Sequence, residues 1–473
     1  VGLGGSGGPR DVDVSPGSGQ PDVFGPGLVD VILTEVDLLP NPLSVAVGAS
    51  GQLNLTGLTD QGDEVALPGN TTASVSYATD SPGIATVNSA GQVTGVSQGS
   101  AIVTATVVND GSTLTATTTV LVTAGGSGAT IAHIYVSNPT PNSGGGSVTS
   151  VAVAPDGMLS VIENNTEVNR PLSIAATPSG EFLYAVNIFG LDSGGLSNFS
   201  VFLRDQASGV LTFDGTDPTA LAQTNPQVMA IDPTGRFAYV LNFAGDAFAY
   251  LIGPDGHLSE NTASTTVDTG SNGVTYPVFN SAGDRFYVPD RGDDTITIID
   301  VDTGDGAITL QNDFVVTSGD SPYALEFDPS DAFLYSANIN SGSVSSYSVD
   351  ANGDLALVDN LPTNVGPRAL SVHPTIPVLY VAGGDNTVVT VELDGTGGLS
   401  ILGTSQPTGV VPNAILVDPT GSFVYIVCSG FSPAPATISA YQVDQTDGSL
   451  TFLQDYNFPE LSFSQNAVLI PVP

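Results

Sequence analysis

The sequence contains no lysine. Of its 473 residues 47 are Asp or Glu, and the 7 cations are all arginine, which leaves a formal charge of −40. Schiff-base chemistry and a P-loop lysine are thereby excluded, as is a basic surface able to attract nucleic acid or an anionic membrane. Charged residues of all kinds reach only 11%, so the charge reflects missing cations rather than a carboxylate-dense, disordered tail. The single cysteine, Cys428, permits no intrachain disulfide and no thiolate metal site; in the apolar run VYIVCSG it reads as a small buried hydrophobe. No apolar stretch approaches the ~20 residues that a membrane-spanning helix needs. There is no Cys/His constellation and no convincing helix.

What is present points to an all-β chain. Hydrophobic residues make up 41%, with 56 glycines and 33 prolines among abundant Val, Thr and Ser, a mixture that fills pleated surfaces and punctuates turns. The start at Val1 rather than methionine is expected of a processed mature form or a trimmed one, and a removed secretion signal fits it. Residues 1–27 are Gly, Pro, Ser and Asp with almost nothing to bury, a flexible arm whose order would have to come from another surface. Residues 28–123 alternate in short strands separated by Gly and Asn/Asp turns, as a small β-sandwich does. Residues 124–130, AGGSGAT, read as a linker.

Residues 131–473 are an internal repeat. Five 18-residue segments align without gaps: those beginning at Arg170, Asn225, Ser321, Gly366 and Val411. A degenerate sixth begins at Gly273. Each is a strand, a Pro-x-Gly-type turn and a second strand, with an aromatic at a fixed place: Tyr184, Tyr239, Tyr287, Tyr335, Tyr380 and Tyr425. A Gly-x-(Leu/Ile) hairpin signal recurs at Gly157, Gly209, Gly256, Gly306, Gly353, Gly397 and Gly448. Seven four-stranded units at a period of about 45 to 55 residues predict a seven-bladed β-propeller. The seventh unit is split. Residues 130–138, with Tyr135 in the aromatic slot, supply its second half; residues 463–471, with Pro471 in the proline slot, supply its first. The C-terminal strand is therefore expected to complete the first blade and close the ring without an open edge.

Residues 75–107, VSYATDSPGIATVNSAGQVTGVSQGSAIVTATV, with LSVAVGASGQLNLTG at 43–57, resemble the bacterial Ig-like group 2 domain, with Tyr77 where that family usually has tryptophan. The blade pattern, Asp-Pro-x-Gly-x-Phe-x-Tyr-Val-x-Asn followed by a Gly-x-Leu hairpin, resembles the lactonase-type propellers, 6-phosphogluconolactonase among them. The first resemblance implies a spacer or adhesion module; the second implies a cluster of His, Glu and Arg at one channel mouth, working on a lactone. Here residues 271–294, which look like the family's histidine region, contain no histidine. The later "G-P-R-H" signature stands as Gly366-Pro367-Arg368-Ala369, and the VAGGDN run ending at Asn386 replaces the family's glutamate. Arg368 is the one residue of that site left to an enzymatic reading.

Other candidates weaken on inspection. His133, His257 and His373 would all have to converge to bind zinc. Asp232, Asp328 and Asp418, each before a proline, could ring one mouth and hold a cation, but Asp in that place normally initiates the turn. Asp300, Asp302 and Asp305 have the spacing of an exposed calcium loop without its bidentate Glu. Arg291-Gly292-Asp293 is a tripeptide common by chance. The expectation is therefore a secreted or cell-surface structural protein, a self-assembling subunit of an extracellular filament or surface layer. It has no cofactor, with calcium possible. Copies would associate head to tail through the arm, with Val12, Val14, Val23 and Phe24 as apolar anchors. Two alternatives stay open: a lactonase-like hydrolase of a sugar lactone using Arg368 and channel carboxylates, and a tethered adhesin or ligand-binding propeller.

Overall fold

A computed structural model gives the chain's fold. It describes residues 23–123 and 130–473 except 25–27, 30–31, 40–42, 47–49, 61–63, 68–72, 97–98, 140–144, 189–197, 219–224, 271–272, 318, 364, 431–435 and 458–465. The chain divides into two compact units, Val1–Ser127 and Gly128–Pro473. Among the described residues there is no helix.

The first unit is the expected sandwich. Gly99–Asn109 and Ser112–Thr123 form its longest hairpin, flanked by Ser74–Thr79 on one side and by Leu43–Ala46, running parallel, on the other. Two smaller sheets contain Leu33–Leu39, Asn54–Thr59 and Glu64–Leu67, and Ser50–Gln52, Gln92–Gly95 and Ala85–Val87. Alternation along Gly99–Asn109 buries Ala101, Val103, Ala105 and Val107 in one core with Val93, Val120 and Leu38. Tyr77 packs against that core, and burial raises the pKa of its phenol. Val23–Phe24 pairs antiparallel with Leu28–Val29; Val12 and Val14 lie outside the described residues.

The second unit is seven antiparallel sheets. The second strand of a blade is clasped between its neighbours, so it is apolar without alternation: Phe182–Asn187, Phe237–Asn242, Val378–Gly383 and Phe423–Cys428 are buried throughout. Cys428 ends the last of these, and burial pushes its thiol up to about 12. The outermost strand, such as Leu355–Pro362, is largely solvated. Asn466–Pro471 pairs with Ala132–Pro139, so the chain's last strand is the innermost strand of its first blade.

The two repeated sequence signals are partners. Six of the seven slot tyrosines donate the hydroxyl hydrogen to the carbonyl of the hairpin glycine in the next blade, five of them being Tyr135 to Gly209 (2.9 Å), Tyr184 to Gly256 (2.7 Å), Tyr239 to Gly306 (3.2 Å), Tyr287 to Gly353 (2.9 Å) and Tyr380 to Gly448 (2.9 Å). Tyr425 of the last blade reaches Gly157 of the first (3.0 Å), and Gly397 is held instead by the Ser346 hydroxyl. The ring is thus stapled blade to blade as well as closed by a strand. Buried Arg204 locks the closure. Its guanidinium donates to Tyr135 Oη (2.8 Å), the Gly180 carbonyl (2.9 Å) and the Pro471 carbonyl (3.4 Å), and lies 2.8 Å from His133 Nδ1.

Candidate functional site

The innermost strands begin in the same unusual way. Arg170, Asn225, Ser321, Gly366 and Val411 have φ between 50° and 63°, a proline follows, and the pairing register then slips by one residue. The extra residue at each slip is Leu172, Gln227, Tyr323, Arg368 or Asn413. A bulge re-aims the side chain it frees, so the repeat turns one variable residue per blade toward one mouth of the channel. In the degenerate blade Thr275 takes this place, and Tyr276 instead forms a parallel bridge to Ala324 of the next blade. That bridge brings Tyr276 within 5.8 Å, ring to ring, of Tyr323.

A cavity of about 180 Å³ opens here, lined in part by Gln227, Thr275, Tyr276, Arg291 and Tyr323. The Arg291 guanidinium lies 5.1 Å from the Tyr323 ring centroid and that of Arg368 lies 5.8 Å from it. Neither arginine is in an ion pair among the described residues, where the carboxylates paired with arginine are Asp284 and Asp300, both with Arg285. The Tyr276 hydroxyl bonds to the side chains of Asn466 and Tyr323; burial drives its pKa far up, against the opposing charge of Arg368, so it stays a hydrogen-bond donor. Asn466 belongs to the closing strand and is fixed by the Ile174 amide, which donates to its Oδ1 at 3.2 Å. On a chain of charge −40, two guanidinium groups without carboxylate partners among the described residues, beside a neutral phenol, make a site for an anion.

Arg368, the residue kept from the sequence for a lactonase site, is in this cluster. Arg291 is there too, although in sequence it reads only as the first residue of a tripeptide. Tyr276, Tyr323 and Asn466 escape sequence reasoning. The signal that could have found them is variability at one slot inside a constant frame: Leu, Gln, Tyr, Arg and Asn follow the same proline in five blades.

The other candidates lie elsewhere. Asp232 accepts the amides of Arg236 (2.8 Å) and Phe237 (2.7 Å), Asp418 that of Phe423 (2.7 Å) and Asp328 that of Phe333 (2.6 Å), which is turn work at the far ends of the strands. His373 does the same for Thr375 and Ile376 through Nδ1. Burial, aided by Arg204, lowers His133 to about 4. His257 lies 2.8 Å from Asp217, which raises its pKa. Asp300 is paired with Arg285, and Asp302 and Asp305 accept the amides of Gly304 and Ala307. No group of three or more His, Cys, Asp or Glu converges on a metal position among the described residues. Asn386 accepts the amide of left-handed Val411 at 3.0 Å.

Comparison with known proteins agrees with this architecture. Residues 133–460 match the family model of the lactonase seven-bladed β-propeller, and residues 32–120 that of the bacterial Ig-like domain, group 2. A candidate 6-phosphogluconolactonase from Bacteroides uniformis superposes with a TM-score of 0.62 at 20% identity, covering 72% of this chain and 99% of its own. The periplasmic gluconolactonase of Pseudomonas aeruginosa does so with 0.60 at 19%, covering 72% and 100%. A protein from Lactobacillus plantarum gives 0.60 at 20%, covering 72% and 99%. Identities this low show a shared fold. No curated protein matches the chain. With a bacterial group 2 Ig-like domain ahead of it, the propeller makes this chain a member of the lactonase family of seven-bladed β-propellers.

Proposed function

We propose that the propeller is a hydrolase of anionic sugar lactones, bound at the channel mouth by Arg291 and Arg368. One observation carries the reading: these two guanidinium groups flank Tyr323, with no carboxylate partner among the described residues of an acid-rich chain. They would hold a phosphate or carboxylate, while the Tyr276 hydroxyl donates to the lactone carbonyl oxygen as it gains negative charge. Family membership and the gluconolactonases among the similar structures support it.

The test is pH-stat titration of acid release from 6-phosphogluconolactone, glucono-δ-lactone and glucuronolactone, each corrected for spontaneous opening. Arg368→Ala should lower kcat/KM for the phosphorylated lactone by about 10- to 100-fold, the weight of a charge-assisted hydrogen bond. Catalysis of none of the three would retire the reading, and binding of 6-phosphogluconate without turnover would make the propeller a ligand-binding module.

Self-association of copies through the N-terminal arm, on a secreted or surface-exposed protein, is a separate proposal. Its support is the sequence: Val12, Val14, Val23 and Phe24 are the apolar residues of a segment otherwise unable to bury itself, and the Ig-like domain is of a type suited to spacing.

A further inference from the structure

We infer that Glu326 is the proton-transfer group of this channel, filling the role left vacant by the absent histidines. The inference rests on the lactonase reading above and deepens it.

Glu326 lies on the innermost strand Pro322–Phe327, three residues beyond Tyr323 and so about 10 Å deeper at the rise of a strand. It pairs with the slot residue Tyr335. The residues paired with the slot tyrosine in the other six blades are Ala175, Ala230, Val278, Ser371, Leu416 and Val468. One carboxyl therefore interrupts an uncharged ring. A cavity of about 250 Å³ runs from Ser173, Tyr276 and Asn466 at the mouth down to Ala175, Ala230 and Val468. Ala175, Ala230 and Val468 hold in their blades the place that Glu326 holds in its own, so the repeat sets Glu326 at the same level of the channel.

The other acids discussed at strand ends and turns are held by backbone amides. Glu326 is not: among the described residues its carboxyl has no ion pair, and burial is what raises its pKa. Surrounded by protein yet partly open to solvent, its carboxyl is pushed up to about 7, where both protonation states are populated near neutrality. Tyr335 opposite is a buried phenol with a strongly raised pKa. Arg368 and Tyr323 stand three residues toward the mouth. Asp328 and His373, at the far ends of the two adjoining inner strands, are tied into their turns.

A lactone whose anionic group rests on Arg291 and Arg368 would extend its ring toward Glu326. The carboxylate removes a proton from water as the water oxygen bonds to the acyl carbon. The ring C–O bond then breaks, and Glu326 returns the proton to the departing oxygen. Lactone and water become one hydroxy acid, and no other reactant is needed.

The experiment compares wild type, Glu326→Gln and Arg368→Ala, each as the full chain, on 6-phosphogluconolactone from pH 5 to 8. Binding of 6-phosphogluconate is measured by calorimetry in parallel. The expected result is a rate for wild type that rises through an inflection near pH 7. In Glu326→Gln kcat falls by roughly 10²- to 10⁴-fold and the inflection is lost, the usual share of general acid–base catalysis. Affinity for 6-phosphogluconate, which also reports a folded channel, stays within about twofold because Gln keeps the shape. A Glu326→Gln enzyme with wild-type kcat and inflection, beside an Arg368→Ala enzyme whose kcat/KM has fallen by about 10- to 100-fold, overturns the role of Glu326 alone. Absence of wild-type hydrolysis overturns the lactonase reading and this role together.

Discussion

The blade-to-blade staple predicts that two glycines of similar backbone conformation will respond differently to the same methyl group. Gly157 and Gly395 have φ of 80° and 75°, so alanine at either place meets the left-handed penalty of about 1–2 kcal/mol. Around Gly395 a Cβ would find nothing within 4 Å. At Gly157 it would sit 2.4 Å from ring carbons of Phe423, closer than any real contact. The hairpin would have to move off the Phe423 ring and draw the Gly157 carbonyl away from the Tyr425 hydroxyl, now 3.0 Å distant. Overpacking of this kind costs about 1–3 kcal/mol, and a weakened buried hydrogen bond about 1 kcal/mol more. Gly157→Ala should therefore be destabilised by about 2–4 kcal/mol more than Gly395→Ala. Urea titration followed by tyrosine fluorescence would measure this, with Tyr425→Phe isolating the hydrogen bond. Equal losses for the two alanines would refute the staple.

Three further outcomes follow from named contacts. Arg204→Met should cost about 3–5 kcal/mol, because it empties a buried cation site on which Tyr135, Gly180 and the Pro471 carbonyl depend; an unchanged urea midpoint would contradict its part in ring closure. Glu326→Gln should stabilise the propeller at pH 8 but not at pH 4. A carboxyl raised from an ordinary 4.5 to about 7 gives its full stability below 4.5 and loses it as pH rises through 7, about 3 kcal/mol in all; parallel urea curves at the two pH values would disprove this. Deletion of residues 1–27 should abolish self-association, and association of the full chain should strengthen as pH falls toward about 4 and carboxylate repulsion fades. Light scattering and negative-stain microscopy would read both, and unaltered assemblies after deletion would refute the role of the arm.

The propeller was legible because its information is periodic. A tyrosine and a glycine recurring at fixed offsets, and two half-units at the ends, are enough to count blades and to predict that Asn466–Pro471 closes the first. That the tyrosine and the glycine bond to each other was not legible, since they lie in successive blades and nothing local pairs them. The site was harder for the same reason turned around. Arg368 could be found from a local motif, but Tyr276, Tyr323, Arg291 and Asn466 meet only when three blades are set around a ring and a bulge frees one residue in each of several inner strands. Glu326 is one acid among 47, and only its register against Tyr335 shows that its equivalents are uncharged. The aspartates before proline are legible as turn residues, because a turn needs an acceptor at that spacing whatever else the protein does, and His373 fills the same place through Nδ1.

The central claim is that Arg291 and Arg368 at the channel mouth hold the anion of a lactone that the channel opens. Its most direct test is the kcat/KM of wild type and of the double variant Arg291→Ala/Arg368→Ala for 6-phosphogluconolactone against the uncharged glucono-δ-lactone. The account predicts that wild type prefers the phosphorylated lactone and that the double variant loses this preference while still opening the uncharged one. A preference unchanged by removal of both arginines would contradict it.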